Sequence, residues 1–106
     1  MTDFVKVAKT SDIAPETAKY YNVAGTDIAL CRVGDEFYAI ADVCTHDGGP
    51  LDQGELDDYQ IECPRHGARF DVRTGEVITL PAVLDIATYP VKVEGDDVYV
   101  KPEMQE

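Results

Sequence analysis

Both histidines and two of the three cysteines of this 106-residue chain fall in two short stretches, Cys44-Thr45-His46 and Cys63-Pro64-Arg65-His66-Gly67. Sixteen residues, 47 through 62, separate the two Cys–His pairs. A loop carrying C-x-H and a second carrying C-x-x-H can present two thiolates and two imidazoles to one small object from opposite sides. That donor set makes a metal site. Two soft thiolates with two imidazoles suit either a tetrahedral zinc or an iron–sulfur cluster. Zinc sites commonly pair like with like in tight turns. Here each loop gives one Cys and one His, the split that a two-iron cluster with unlike ends would need. Cys44 and Cys63 would hold one iron, and His46 and His66 the other.

With C-x-H, sixteen residues and C-x-x-H in this order, the sequence resembles the Rieske family. The wording C-T-H and C-P-x-H-G, the F-D-x-x-T-G-E turn from Phe70 to Glu76 and the later Pro81 extend the likeness over about residues 37–100. The resemblance implies one [2Fe–2S] cluster per chain, with Cys44 and Cys63 as thiolate ligands and His46 and His66 as imidazole ligands. It also implies a loop at Pro81 and Ala82 that covers a third side of the cluster.

The ligand set has an electrostatic consequence. Two ferric ions, two sulfides and two thiolates sum to zero, whereas four thiolates would leave the cluster at minus two. An electron is added more easily to the neutral assembly. Rieske centres span about −150 to +300 mV against about −400 mV for plant-type ferredoxins, a range known for the class and not obtained from this chain. The low end is expected here. The high-potential branch of the family has an extra cysteine in each loop, and the matching residues are Gly49 and Arg65. Where that branch has Ser and Tyr donating to sulfur, this chain has Ala68 and Phe70. Fewer donors stabilise the reduced cluster less.

Strands must position these loops, because no stretch holds a 3.6-residue apolar period for long. Strand-like runs are Phe4–Val7, Ala18–Val23, Ile28–Val33, Phe37–Ala41, Tyr59–Glu62, Ala68–Val72, Val77–Leu80, Tyr89–Val93 and Val98–Lys101. Gly34-Asp35-Glu36 and Glu94-Gly95-Asp96-Asp97 are hairpin turns. Thr10-Ser11-Asp12 reads as a loop or a brief helical turn, and Asp52 to Asp58 as an acidic connection. Short strands with regular turn signals predict an all-β fold. The resemblance makes it a Rieske-type antiparallel β-sandwich with an inserted cluster-binding subdomain. Residues 1–106 form one domain, with the subdomain at about 42–81. Gly48 and Gly49 would let backbone approach the cluster, and Leu51 would pack against it. Cys31 alternates with apolar neighbours and is read as a buried core thiol.

Composition narrows the function. A net charge of −12, from 21 acidic and 9 basic residues, disfavours nucleic-acid binding. It suits steering toward a basic face of a partner, or simply keeps the chain in solution. No apolar run is long enough for a membrane span, the N-terminus shows no secretory signal, and three cysteines make no disulfide framework. A cytoplasmic monomer without membrane attachment is expected. With both histidines spent on the first site, no mononuclear two-His, one-carboxylate iron remains, so the chain is not itself a ring-hydroxylating oxygenase; the resemblance implies an electron-transfer protein and not an enzyme. The resemblance implies a soluble one-electron carrier passing electrons from a flavin-dependent reductase to a terminal oxygenase or similar acceptor. The alternative is a small Rieske subunit of a nitrite-reductase-type or other multi-subunit oxidoreductase.

Overall fold

The computed structural model describes residues 4–44, 49–64, 67–80 and 84–103. Among these residues eleven strands follow in chain order: β1 (Val5–Lys9), β2 (Thr17–Val23), β3 (Thr26–Val33), β4 (Glu36–Ala41), β5 (Leu56–Asp57), β6 (Gln60–Glu62), β7 (Arg69–Asp71), β8 (Val77–Thr79), β9 (Thr88–Tyr89), β10 (Val91–Glu94) and β11 (Asp97–Val100). The sole helical piece among the described residues is a 3₁₀ turn at Thr10–Asp12. The strands build three sheets of order β1-β11-β10, β2-β3-β4-β9 and β5-β6-β7-β8, and every pairing is antiparallel. The all-β antiparallel sandwich expected from the sequence is therefore the observed fold.

The middle sheet carries a core on each face. Ile28 and Leu30 of β3 join Phe37 and Ala39 of β4, Val98 and Val100 of β11 and Ile13 on one side. Ala29, Cys31 and Val33 join Ile40, Ile61, Phe70, Val72 and both Cys44 and Cys63 on the other. Successive side chains of a strand point to opposite faces, so one strand can serve both cores. This is why β3 reads as an apolar run and not as an alternation. Cys31 is fully buried there, as expected, and desolvation raises its thiol pKa strongly.

Turn chemistry sets the registers. Ala24 and Gly25 both have positive φ, +51° and +87°, the pair of conformations a two-residue hairpin needs between β2 and β3. Arg32 ties down the crossover after β1. Its guanidinium donates to the carbonyls of Thr10 (3.0 Å), Ile13 (2.9 Å) and Gly34 (2.8 Å), and it lies over the Phe37 ring.

Two sequence expectations change. The run Tyr89–Val93 is not one strand. Tyr89 pairs with Ala39 in the middle sheet, whereas Val91 pairs with Val100 in the outer one. Pro90 sits at the switch, where a residue without an N–H cannot continue a ladder. The connection Asp52 to Asp58 does contain a strand, since Leu56 and Asp57 pair with Ile61 and Gln60. Asp58, at φ +56°, makes that tight turn. Leu56 is the buried residue whose apolar signal was masked by the acidic residues around it.

Candidate metal centre

The first loop leaves the end of β4. Ala41 and Asp42 are fixed to the middle sheet by N–H donation to the Ala87 carbonyl (2.9 Å) and the Asp27 carbonyl (3.1 Å). Cys44 then donates its N–H to the Gly49 carbonyl at 2.6 Å, which closes the loop on itself. The second loop leaves the end of β6 in the same way. Cys63 donates its N–H to the Ala68 carbonyl at 2.7 Å, and Gly67 donates back to the Cys63 carbonyl at 3.0 Å. Gly67 has φ +77°, a conformation that glycine adopts without the clash a Cβ would bring. In each loop, then, a cysteine N–H meets the carbonyl five residues later.

Both cysteines are sequestered, Cys44 at 0% and Cys63 at 1% exposure, within one core cluster that includes Leu51, Ala68 and Phe70. Leu51, read from the sequence as packing against the metal cluster, is fully buried in the same core cluster as the two cysteines. Ala68 and Phe70 lie there too and contribute no hydroxyl donor. No disulfide joins the three cysteines. Two thiols buried in one apolar core cluster by two matched loops fit a soft, thiolate-ligated group such as the [2Fe–2S] cluster that the resemblance implies. His46 and His66, with Gly48, Arg65 and Pro81, lie outside the described residues.

Two glycines press the connecting segments onto the site. A Cβ on Gly54 would run into the Glu62 carbonyl, immediately before Cys63, and one on Gly75 would run into the Ile86 carbonyl. The segment following residues 81–83 is secured at both ends of that contact. Ile86 donates to the Gly75 carbonyl (2.8 Å), and Asp85 accepts from the Val77 N–H (2.9 Å). Thr79 accepts the Arg69 N–H at 3.0 Å, joining β8 to the strand after the second loop.

One site residue went unnoticed in the sequence. Asp42, two positions before Cys44, accepts N–H bonds from Leu51 (2.7 Å) and Asp52 (2.8 Å) on its Oδ1. Its carboxyl pKa is pushed up to about 6, by burial first and by the neighbouring Asp52 carboxyl second, against the downward pull of the two N–H groups. A lone aspartate beside a C-x-H motif gives only a weak sequence signal, because its partners are backbone amides nine and ten residues on.

The surface around the loops is partly apolar. Pro64, Leu80 and Leu84 are exposed, Leu80 at 76%. An open groove of about 610 Å³ lies beside the third sheet, and Glu16, Asp52, Glu55 and Asp57 are among the residues that line it. No helix among the described residues is long and apolar enough to cross a membrane.

Comparison with known proteins follows the same lines. The sequence profile of the family described as the Rieske [2Fe–2S] domain matches residues 3–90. The ferredoxin component of biphenyl 2,3-dioxygenase from Rhodococcus jostii (strain RHA1) is 41% identical over 98 residues, 92% of each chain. The ferredoxin of carbazole 1,9a-dioxygenase from Nocardioides aromaticivorans IC177 superposes with a TM-score of 0.92 at 38% identity, covering 96% of this chain and 100% of that one. A structure described as a complex of reduced oxygenase and oxidized ferredoxin in carbazole 1,9a-dioxygenase contains a chain with TM-score 0.92 and 38% identity, covering 100% of this chain and 99% of that one.

Proposed function

This chain belongs to the Rieske [2Fe–2S] domain family, and from that premise we propose that it is a one-electron carrier between a flavin-dependent reductase and a terminal oxygenase. It makes and breaks no bond in a substrate. In this reading Cys44 and Cys63 ligate one iron and His46 and His66 the other. The single observation behind it is the pair of matched loops that bury Cys44 and Cys63 in one apolar core cluster. The cluster supplies a site that accepts and releases an electron.

The chain's own residues do the rest. The closed loops fix the cysteine backbone. Leu51, Ala68 and Phe70 keep water from the thiolates, and a rigid, dry surround limits reorganisation when charge changes. The missing hydroxyls at 68 and 70 support a potential in the lower part of the Rieske range. The ferredoxin names of relatives matching nearly the whole chain favour a carrier for an oxygenase over a nitrite-reductase-type subunit. The relative captured with its oxygenase supports the oxygenase as electron acceptor. The net charge of −12 supports steering toward a basic docking face. We read residues 1–106 as one monomeric domain in the cytoplasm, with residues 42–81 as the cluster-binding subdomain.

The deciding experiment measures iron, acid-labile sulfide and the EPR spectrum of the dithionite-reduced protein. Two irons and two sulfides per chain, a Rieske-type signal and reoxidation by a ring-hydroxylating oxygenase are expected. Stoichiometric zinc alone after anaerobic purification overturns the electron-transfer reading.

A further inference from the structure

The two cysteine loops are closed by the same kind of hydrogen bond, but their ends are held in different ways. The second loop rises between paired strands. Glu62 and Arg69 are ladder partners on either side of it, and Ile61 pairs with Phe70 one step further out. The first loop has no such frame. The strand before it, β4, pairs with β3 and β9, and the residues after it, from Leu51 on, join no strand until Leu56.

We propose that Asp42 is the positioning residue of the first loop, its carboxylate supplying the closure that a strand ladder supplies to the second. Its Oδ1 accepts the N–H groups of Leu51 (2.7 Å) and Asp52 (2.8 Å), the two residues that follow the loop. Its own N–H donates to the Asp27 carbonyl on β3 at 3.1 Å. One side chain therefore ties the far end of the loop to its start, and its backbone ties both to the middle sheet. Cys44 lies inside this tether, with Leu51 fully buried in the same core cluster. A charged acceptor makes stronger bonds to N–H than a neutral one, and a half-buried pair of amides without an acceptor is costly. The role of Asp42 in this proposal is positional. It acts through the placement of Cys44, so the inference rests on Cys44 being a ligand.

The test compares Asp42→Ala and Asp42→Asn in the iron-loaded protein, with two readouts. One is amide exchange in a peptide spanning 49–53, and the other is the rate of iron loss to a chelator followed by visible absorption. Asn keeps an acceptor oxygen in the same place and Ala does not. Asp42→Ala should speed both exchange and iron loss by roughly tenfold or more, while Asp42→Asn stays within about threefold of the parent. Exchange in β3 and β4 should not change. Parent-like behaviour of Asp42→Ala overturns the proposal, and so does Asp42→Asn failing as badly as Asp42→Ala. If Asp42→Ala does not fold, Asp42→Ser replaces it, since its short hydroxyl cannot span both amides, and the same two outcomes decide. The ligand reading is tested apart, by Cys44→Ser. Full iron in that variant sinks the ligand reading, and exchange at 49–53 in the Asp42 variants still reports on the tether.

Discussion

The sheets β1-β11-β10 and β2-β3-β4-β9 form a base with the longer ladders: β2 and β3 pair over seven consecutive residues, β3 and β4 over six, and β10 and β11 over four. In the third sheet none of the ladders among the described residues exceeds three pairs. Each region has its own way of staying ordered. The base buries Ile28, Leu30, Phe37, Val98 and Val100 between sheets in a core that holds neither cysteine. The site region is stitched by single bonds, such as Glu62 N–H to the Glu55 carbonyl (2.9 Å) and Gly54 N–H to the Leu51 carbonyl (2.9 Å). Its core has the two cysteines as members. The base thus keeps one core that contains neither cysteine, whereas the core beneath the site region contains both and is shared with β3 and β4.

The largest effect should come from taking away the group that the cysteines hold. Cys63→Ser leaves one thiolate and is expected to abolish iron binding altogether. Hydrogen exchange should then rise by roughly a hundredfold or more through residues 49–80 while the amides of β3 and β4 keep their protection. Equal loosening of both regions would show that the base is not independent, and the contrast drawn above would fall.

A smaller effect separates the two regions by their glycines. Gly54→Ala pushes a Cβ into the Glu62 carbonyl, and backbone cannot step aside as a side chain can. A loss of about 2–3 kcal/mol is expected, with faster iron release, since the clash lies next to Cys63. Gly34→Ala in the base has open space around its Cβ and pays only for its φ of +58°, about 1 kcal/mol. Urea unfolding of the two variants measures the gap. Equal losses would mean that the third sheet yields more easily than its packing suggests.

What could be read in the sequence follows from the range of each interaction. The hairpin turns at Gly34 and Gly95 and the strands beside them were legible because alternation and turn chemistry are local. The spacing of the two Cys–His pairs was visible too, because it is carried in the chain; the structure buries Cys44 and Cys63 in one core cluster, and His46 and His66 lie outside the described residues. The division at Pro90 was missed because Tyr89–Val93 has unbroken strand propensity, and only the third dimension assigns its halves to different sheets. Leu56–Asp57 was missed because two residues are too short to show a period. Asp42 and Gly54 were missed for a third reason: their partners are backbone groups, which have no sequence signature. Long-range backbone contacts are invisible to any pattern of residue types.

The smallest expected effect lies where the two regions touch. Tyr59, at the turn between β5 and β6, donates its hydroxyl to Glu36 of β4 at 2.7 Å and meets Tyr38 edge-on at 6.0 Å. Arg73 lies over the Tyr59 ring, 4.1 Å from its centroid, and pairs with Asp71 at 2.8 Å. The Asp71 carboxyl is held below its ordinary pKa, first by the side-chain hydrogen bond from Arg73. A carboxyl lowered in the folded state stabilises above its unfolded pKa, and that contribution is lost as pH falls through the folded value. Arg73→Ala should lower Tm by no more than about 4 °C, as for other exposed pairs. The difference from the parent should be flat between about pH 8 and pH 5, because Asp71 stays ionised throughout, and should shrink only below about pH 4. Thermal melts of the two proteins at matched pH measure it. A difference that varies between pH 5 and 8 would assign the contribution to another group, and the clasp between scaffold and site would then rest on Tyr59 and Glu36 without help from the Asp71–Arg73 pair.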